Sequence, residues 1–157
     1  MTPKPMNLIE SNRTMLTMLS AVTTPREIRA KLRAARITPA SDAAMVDGLV
    51  GRAREAFDTD AVCFQKIHAE AGDVQAIKLD GHGMLLAGSY TRYLLGAGDK
   101  DDVLRDMIAL HQSLLRECGD VSPTDAEQAV HEILNGAAFI VNEAIAEART
   151  RGAEITR

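Results

Sequence analysis

Residues 81–119 constrain the fold of this chain more than any other stretch. Two apolar stripes with helical spacing meet there at the segment Gly-Ala-Gly-Asp, residues 96–99, and a glycine closes the second stripe. Apolar residues that recur at steps of three and four lie on one face of an α-helix. One histidine falls in each stripe, His82 in the first and His111 in the second. We therefore expect two packed helices whose histidines face inward.

The rest of the chain follows the same periodicity. Helical patterns occupy residues 6–22, 25–35, 42–57, 62–68 and 123–148, so about seven helices and an all-α fold are predicted. Residues 74–79 alternate imperfectly and are read either as a loop or as the start of a helix. Asn135-Gly136 leaves open whether the last segment is one helix or two, and the polar end from Arg149 is expected to fray.

Length and composition predict one soluble domain over residues 1–157. Hydrophobic residues make up 46% of the chain, which argues against disorder, and the net charge of −4 provides no basic field for nucleic acid. No apolar run has the length that spans a bilayer, and the N-terminus lacks the apolar core of a signal peptide. We therefore expect a cytoplasmic protein with neither a membrane nor a nucleic acid as partner.

Sequence motifs give no support for an enzyme. The two cysteines, Cys63 and Cys118, lie in helical patterns without a CxxC spacing and are predicted to be buried thiols. His131-Glu132 begins like the metalloprotease motif HExxH, but Asn135 stands where the second histidine is needed. The spacing of Glu127 and His131 also differs from that of a di-iron helix bundle.

The paired histidines suggest a flat ligand between the two helices. An imidazole on an apolar helix face can ligate a metal through a neutral ring nitrogen, and one on each side of a slot suits haem iron. We predict His111 as the iron ligand with His82 facing it. The candidate cofactor-binding residues lie along the same two helices: His82, Leu86, Tyr90, Arg92, Tyr93, Met107, His111 and Cys118. The alternative is that these residues only pack in a helical core.

Residues 90–99, with the sequence YTRYLLGAGD, resemble the end of the chromophore helix and the Ala-Gly-Asp corner of the phycobiliproteins. The following run is similar as well, with Val103, Met107 and Ile108 at apolar positions of that family and Gly119 at its closing glycine. Residues 1–37 resemble the extra N-terminal helices that phycobiliproteins add to a globin core. The resemblance implies a globin-like helical fold with two additional N-terminal helices.

One departure from that family bears on function. Asp80 occupies the position of the bilin-attaching cysteine, and His82 and Gly83 replace the arginine and aspartate that follow it, so a thioether-linked bilin is not expected there. What remains resembles the bacterial globins associated with bilin biosynthesis, which implies non-covalent binding of haem or a free bilin. The alternative reading is a cofactor-free helical module that oligomerises or docks a partner.

Overall fold

Seven helices form the part of the protein that its computed structural model describes, which comprises residues 7–22, 24–37 and 43–155. No strand occurs within these ranges, so the prediction of an all-α fold is confirmed. The helices are α1 (Leu8–Val22), α2 (Pro25–Ala34), α3 (Ala43–Asp60), α4 (Val62–Glu70), α5 (Asp73–Leu94), α6 (Lys100–Glu117) and α7 (Pro123–Ile155).

Side chains and glycines set several helix ends as the sequence indicates. Thr24 caps α2 by accepting a hydrogen bond from the backbone N–H of Glu27 at 3.0 Å, and Pro25 occupies the first turn. Asp99 caps α6 by accepting from the N–H of Asp101 at 3.3 Å. Gly96 has a φ of +79°, which a residue without Cβ adopts at little cost, and so the chain turns between α5 and α6.

Two regions that the sequence left open are resolved as helix. Residues 74–79 belong to the first turns of α5, which begins at Asp73. α7 continues without a break through Asn135 and Gly136 and extends to Ile155, through the polar end that we expected to fray. The predicted start of the first helix at Met6 lies outside the described residues, and α1 begins at Leu8.

The long helix α5 is central to the packing, because it contacts α3 and α6 along its length and α7 as well. α1 packs mainly on α6, and α2 packs on α5 and α7. Apolar side chains from all seven helices form one core, which includes Leu16, Leu32, Phe64, Leu86 and Val130. In the part of the chain that the structure describes, no helix has both the length and the apolarity to cross a membrane.

Candidate functional site

The residues predicted to bind a cofactor lie on α5 and α6 and differ in their burial. Leu86 and Tyr90 on α5 and Met107 and His111 on α6 are at most 1% exposed, so all four lie in the protein interior. His82, Arg92 and Tyr93 on α5 are half-buried, and so is Cys118, which follows the end of α6.

His111 is fully buried and makes a hydrogen bond to a side chain of α1. Its Nδ1 lies 3.1 Å from Nδ2 of Asn12, which is also fully buried. The same Asn12 nitrogen donates a second hydrogen bond, at 2.7 Å, to the backbone carbonyl of Leu8. The two contacts fix one edge of the imidazole against the N-terminal half of α1.

The Leu8 contact determines which ring nitrogen of His111 carries the proton. A carbonyl oxygen only accepts hydrogen bonds, so the amide atom that faces Leu8 is the donor NH₂ of Asn12. That same NH₂ therefore donates to Nδ1 of His111, and in a neutral ring the proton lies on Nε2. This Nε2 is buried and has no hydrogen-bond partner among the described residues, and Oδ1 of Asn12 is buried without one as well.

Burial lowers the pKa of His111 below its ordinary value of 6.5, and the negative charge of Glu127 on α7 opposes this shift. The ring is consequently neutral at pH 7. Histidine binds a metal as the neutral imidazole through an unprotonated nitrogen, so Nε2 of His111 becomes a possible ligand when the ring proton moves to Nδ1.

His82 occupies a different environment from His111, on the boundary between the buried and exposed faces of α5. Two residues before it, Asp80 faces α4, where its Oδ1 lies 3.1 Å from Nε2 of His68. Both side chains of this pair are about one-third exposed, at 32% and 37%. Asp80 therefore connects α4 to α5.

Tyr90 and Tyr93 form a stacked pair on the last turns of α5. Their ring centroids are 6.3 Å apart and their planes are inclined by 28°. Burial, reinforced by the neighbouring Tyr93, raises the pKa of Tyr90 to about 12, so its phenol stays protonated at neutral pH. Tyr90 is buried and Tyr93 is half-buried, so the pair extends from the core toward the surface of α5.

The remaining candidates have protein partners or a protonated thiol. Arg92 donates from its guanidinium to Oδ1 of Asp47 on α3 at 2.8 Å, which ties α5 to α3. Cys118 packs against the core, and burial raises the pKa of its thiol, so it is protonated at neutral pH. Contact of a ligand propionate with Arg92 therefore requires competition with Asp47.

α1 forms a wall of a surface groove. The groove has a volume of ≈ 500 Å³ and lies between α1 and α7, with Ser11, Met15, Glu127 and His131 among its lining residues. Ser11 directly precedes Asn12, so the same part of α1 both lines the groove and contacts His111. A hydrogen bond of 3.3 Å from the Ser11 hydroxyl to Glu127 connects this wall to α7.

Sequence reasoning missed two polar residues that the structure places at helix contacts. Asn12 lies at helical spacing between Leu8 and Leu16, and a polar residue on that apolar face is the available signal. Glu132 on α7 accepts hydrogen bonds from the backbone N–H groups of Cys63, at 2.9 and 3.1 Å, and of Phe64, at 3.1 Å. It caps α4 from another helix, which no local pattern indicates.

No protein-family model, curated protein or solved structure matches this chain. Within the described ranges, no three histidine, cysteine or acidic side chains lie close enough together to hold a metal ion. The protein therefore presents a different kind of candidate site, a single buried histidine with one unpartnered nitrogen.

Proposed function

We propose that the protein binds a tetrapyrrole non-covalently, and that His111 is the axial ligand when the tetrapyrrole is haem. The observation that carries this proposal is the buried Nε2 of His111, which has no hydrogen-bond partner among the described residues. A buried polar atom without a partner lowers stability, and such a cost is found where a site serves a ligand. The resemblance of residues 90–99 to the phycobiliproteins supports a tetrapyrrole as that ligand.

Other predicted site residues on α5 and α6 have apolar and aromatic side chains that suit a tetrapyrrole. Leu86 and Met107 would supply apolar contacts to a macrocycle, and the stacked pair Tyr90 and Tyr93 would supply an aromatic surface. His82 on the boundary of α5 is the candidate for the opposite side of the ring. Haem would supply an iron whose reactivity depends on the axial ligand and on the polarity of the pocket. The protein acts in this proposal as a binding protein and not as an enzyme.

Absorption spectroscopy tests the proposal. Purified protein is titrated with ferric haem and, separately, with biliverdin, and the same titration is made on His111→Ala, His82→Ala and the control His131→Ala. His131 is a half-buried histidine on α7 that pairs with Asn135, outside the predicted site. We expect a saturable haem band that His111→Ala abolishes, that His82→Ala weakens and that His131→Ala leaves unchanged.

Two other outcomes decide against the haem assignment. A biliverdin band without a haem band makes the protein a bilin binder in which His111 is not an iron ligand. The absence of a saturable band with either compound, in protein whose circular dichroism shows a folded helical chain, contradicts tetrapyrrole binding altogether.

A second candidate function is self-association through an exposed apolar surface on α5, which we call the α5 stripe. Its residues share one face of the helix and are large and exposed: Val74 (67%), Ile77 (71%), Met84 (45%) and Leu85 (53%). Gly81 lies in the middle of the stripe, and the direction of its absent Cβ is open. Large contiguous apolar surfaces mark interaction sites, and a two-fold contact uses the same patch on both subunits.

Sedimentation velocity over a concentration series tests this second candidate. We expect the wild type to dimerise and the double variant Ile77→Glu/Leu85→Glu to remain monomeric. Phe139→Glu is the matched control, because Phe139 on α7 is also an exposed apolar residue, at 64%. A wild type that is monomeric at all concentrations, or a control that dissociates equally, contradicts self-association through α5.

A further inference from the structure

We infer that Asn12 is a positioning residue which locks His111 in the tautomer that cannot bind iron, so that α1 must leave His111 before a ligand binds at Nε2. This inference rests on the proposed function and concerns how the site is opened. It starts from the two hydrogen bonds of one amide nitrogen, at 3.1 Å to His111 and at 2.7 Å to Leu8.

Ligation and the observed hydrogen bond make opposite demands on the ring of His111. A ligating Nε2 uses its lone pair, so the proton of the neutral ring must move to Nδ1. Nδ1–H then needs an acceptor, but it faces the NH₂ group of Asn12, and two donors cannot form a hydrogen bond. Metal-binding histidines normally donate this second N–H to a carboxylate, a carbonyl or water.

Turning the amide of Asn12 does not remove the conflict. The turn brings Oδ1 to the position of Nδ2, where it can accept a hydrogen bond from His111. In that position Oδ1 also lies about as far from the carbonyl oxygen of Leu8 as Nδ2 does now, which is 2.7 Å. Two acceptor oxygens at that separation repel each other. The favourable response is therefore for α1 to move away from α6 and for Nδ1 to donate to water.

The packing of α1 is compatible with this movement. α1 packs mainly on α6, where Asn12 contacts His111, whereas Ile9 and Met18 of α1 are 55% and 67% exposed. Movement of α1 also opens the adjoining groove of ≈ 500 Å³, because α1 forms one of its walls. This movement breaks the hydrogen bond at Nδ1 of His111 and the contact between the Ser11 hydroxyl and Glu127.

Haem titration of Asn12 variants, combined with hydrogen exchange, tests the inference. Asn12→Ala removes the locking donor and leaves the ring free to place its proton on Nδ1. We expect it to bind haem about fivefold more tightly than the wild type, the factor that corresponds to one net hydrogen bond. Thr17→Ala, at an exposed position on the same helix that does not line the groove between α1 and α7, is the control and should bind like the wild type. His111→Ala should abolish the gain in the double variant.

Hydrogen exchange of the wild type gives the second readout. On saturation with haem, amide exchange should accelerate in α1 and stay unchanged in α3. A haem band that depends on His111, together with equal affinities of Asn12→Ala and wild type or with unchanged exchange in α1, overturns the lock and leaves the proposed function standing. If no haem band forms, both the proposed function and the lock are wrong.

Discussion

Asn12 donates a hydrogen bond of 3.1 Å to Nδ1 of His111, whereas the buried Nε2 of the same ring has no hydrogen-bond partner among the described residues. We expect His111→Leu to change the free energy of unfolding by less than about 1 kcal/mol. Leucine removes the unsatisfied Nε2–H and keeps apolar volume, but it also removes the acceptor for the buried NH₂ of Asn12, and the two effects offset each other. Urea denaturation at pH 7 measures this change.

The control for His111→Leu is His131→Leu on α7. His131 is half-buried and its Nδ1 lies 3.2 Å from Nδ2 of Asn135, so its replacement should bring no gain in stability. A loss of more than about 1 kcal/mol in His111→Leu would mean that Nε2 has a stabilising partner, and it would contradict the expected effect.

Glu132 is predicted to stabilise α4 from a distance of almost seventy residues in sequence. The residue before α4, Ala61, provides no side-chain cap, and the Glu132 carboxylate takes that role at Cys63 and Phe64. Glu132→Ala should lower the free energy of unfolding by about 2 kcal/mol, since charged hydrogen bonds to a helix start are lost.

Two further variants serve as comparisons for Glu132→Ala. Glu132→Gln keeps a neutral acceptor oxygen and should lose about half as much as Glu132→Ala. Glu143→Ala, which removes an exposed carboxylate 3.9 Å from Arg52, should change stability by less than about 0.5 kcal/mol. Equal effects of Glu132→Ala and Glu143→Ala would refute the capping role.

The same substitution should have opposite effects at two glycines. A Cβ at Gly98 would lie 2.8 Å from Cβ of Arg92 and 3.1 Å from the backbone of Tyr93, so Gly98→Ala should destabilise the protein by about 2 kcal/mol. A Cβ at Gly81 in α5 would meet nothing within 4 Å, so Gly81→Ala should stabilise it by about 1 kcal/mol. Thermal unfolding of both variants checks the signs.

Tyr90 makes the protein sensitive to alkaline pH. Burial raises the pKa of its phenol to about 12 in the folded protein, against an ordinary value of 10.0. Its contribution to stability is therefore present below pH 10 and is lost as the pH rises toward 12, because the unfolded chain releases the proton first. The wild type should lose more stability than Tyr90→Phe between pH 9 and pH 11, as urea unfolding at each pH would show.

Ultraviolet titration measures the phenol directly. The chain has two tyrosines, so the variant Tyr93→Phe contains Tyr90 as its only one. Because burial is the larger cause of the raised pKa and remains in this variant, its tyrosinate absorption should appear well above pH 10 in the folded protein and near pH 10 in urea. Titration near pH 10 in both states would contradict the burial of Tyr90 that the account requires.

Local patterns accounted for the helices and less completely for the contacts between them. Helical periodicity predicted the buried side of His111, and Thr24 and Asp99 cap the helices that the sequence indicated. The unbroken α7 was not predictable from Asn135-Gly136, because packing against α3, α4 and α5 outweighs the low helix propensity of one glycine.

Partners far apart in sequence leave no periodic signal. Asn12 and His111 are 99 residues apart, and Arg92 is paired with Asp47 across 45 residues. The sequence shows that Asn12 is a polar residue on an apolar face, but only the fold shows which imidazole it contacts. For the same reason the sequence could suggest candidate residues on α5 and α6, but it could not show that α1 contacts His111.

The tautomer of His111 tests the central claim most directly. Long-range proton–nitrogen NMR spectra of the ligand-free protein, labelled with ¹⁵N histidine and assigned with His111→Leu, report which ring nitrogen carries the proton. We predict a neutral His111 at pH 7 with a protonated Nε2 and an unprotonated Nδ1, and a change of this pattern in Asn12→Ala. A proton on Nδ1 in the wild type, or a charged ring at pH 7, would contradict it.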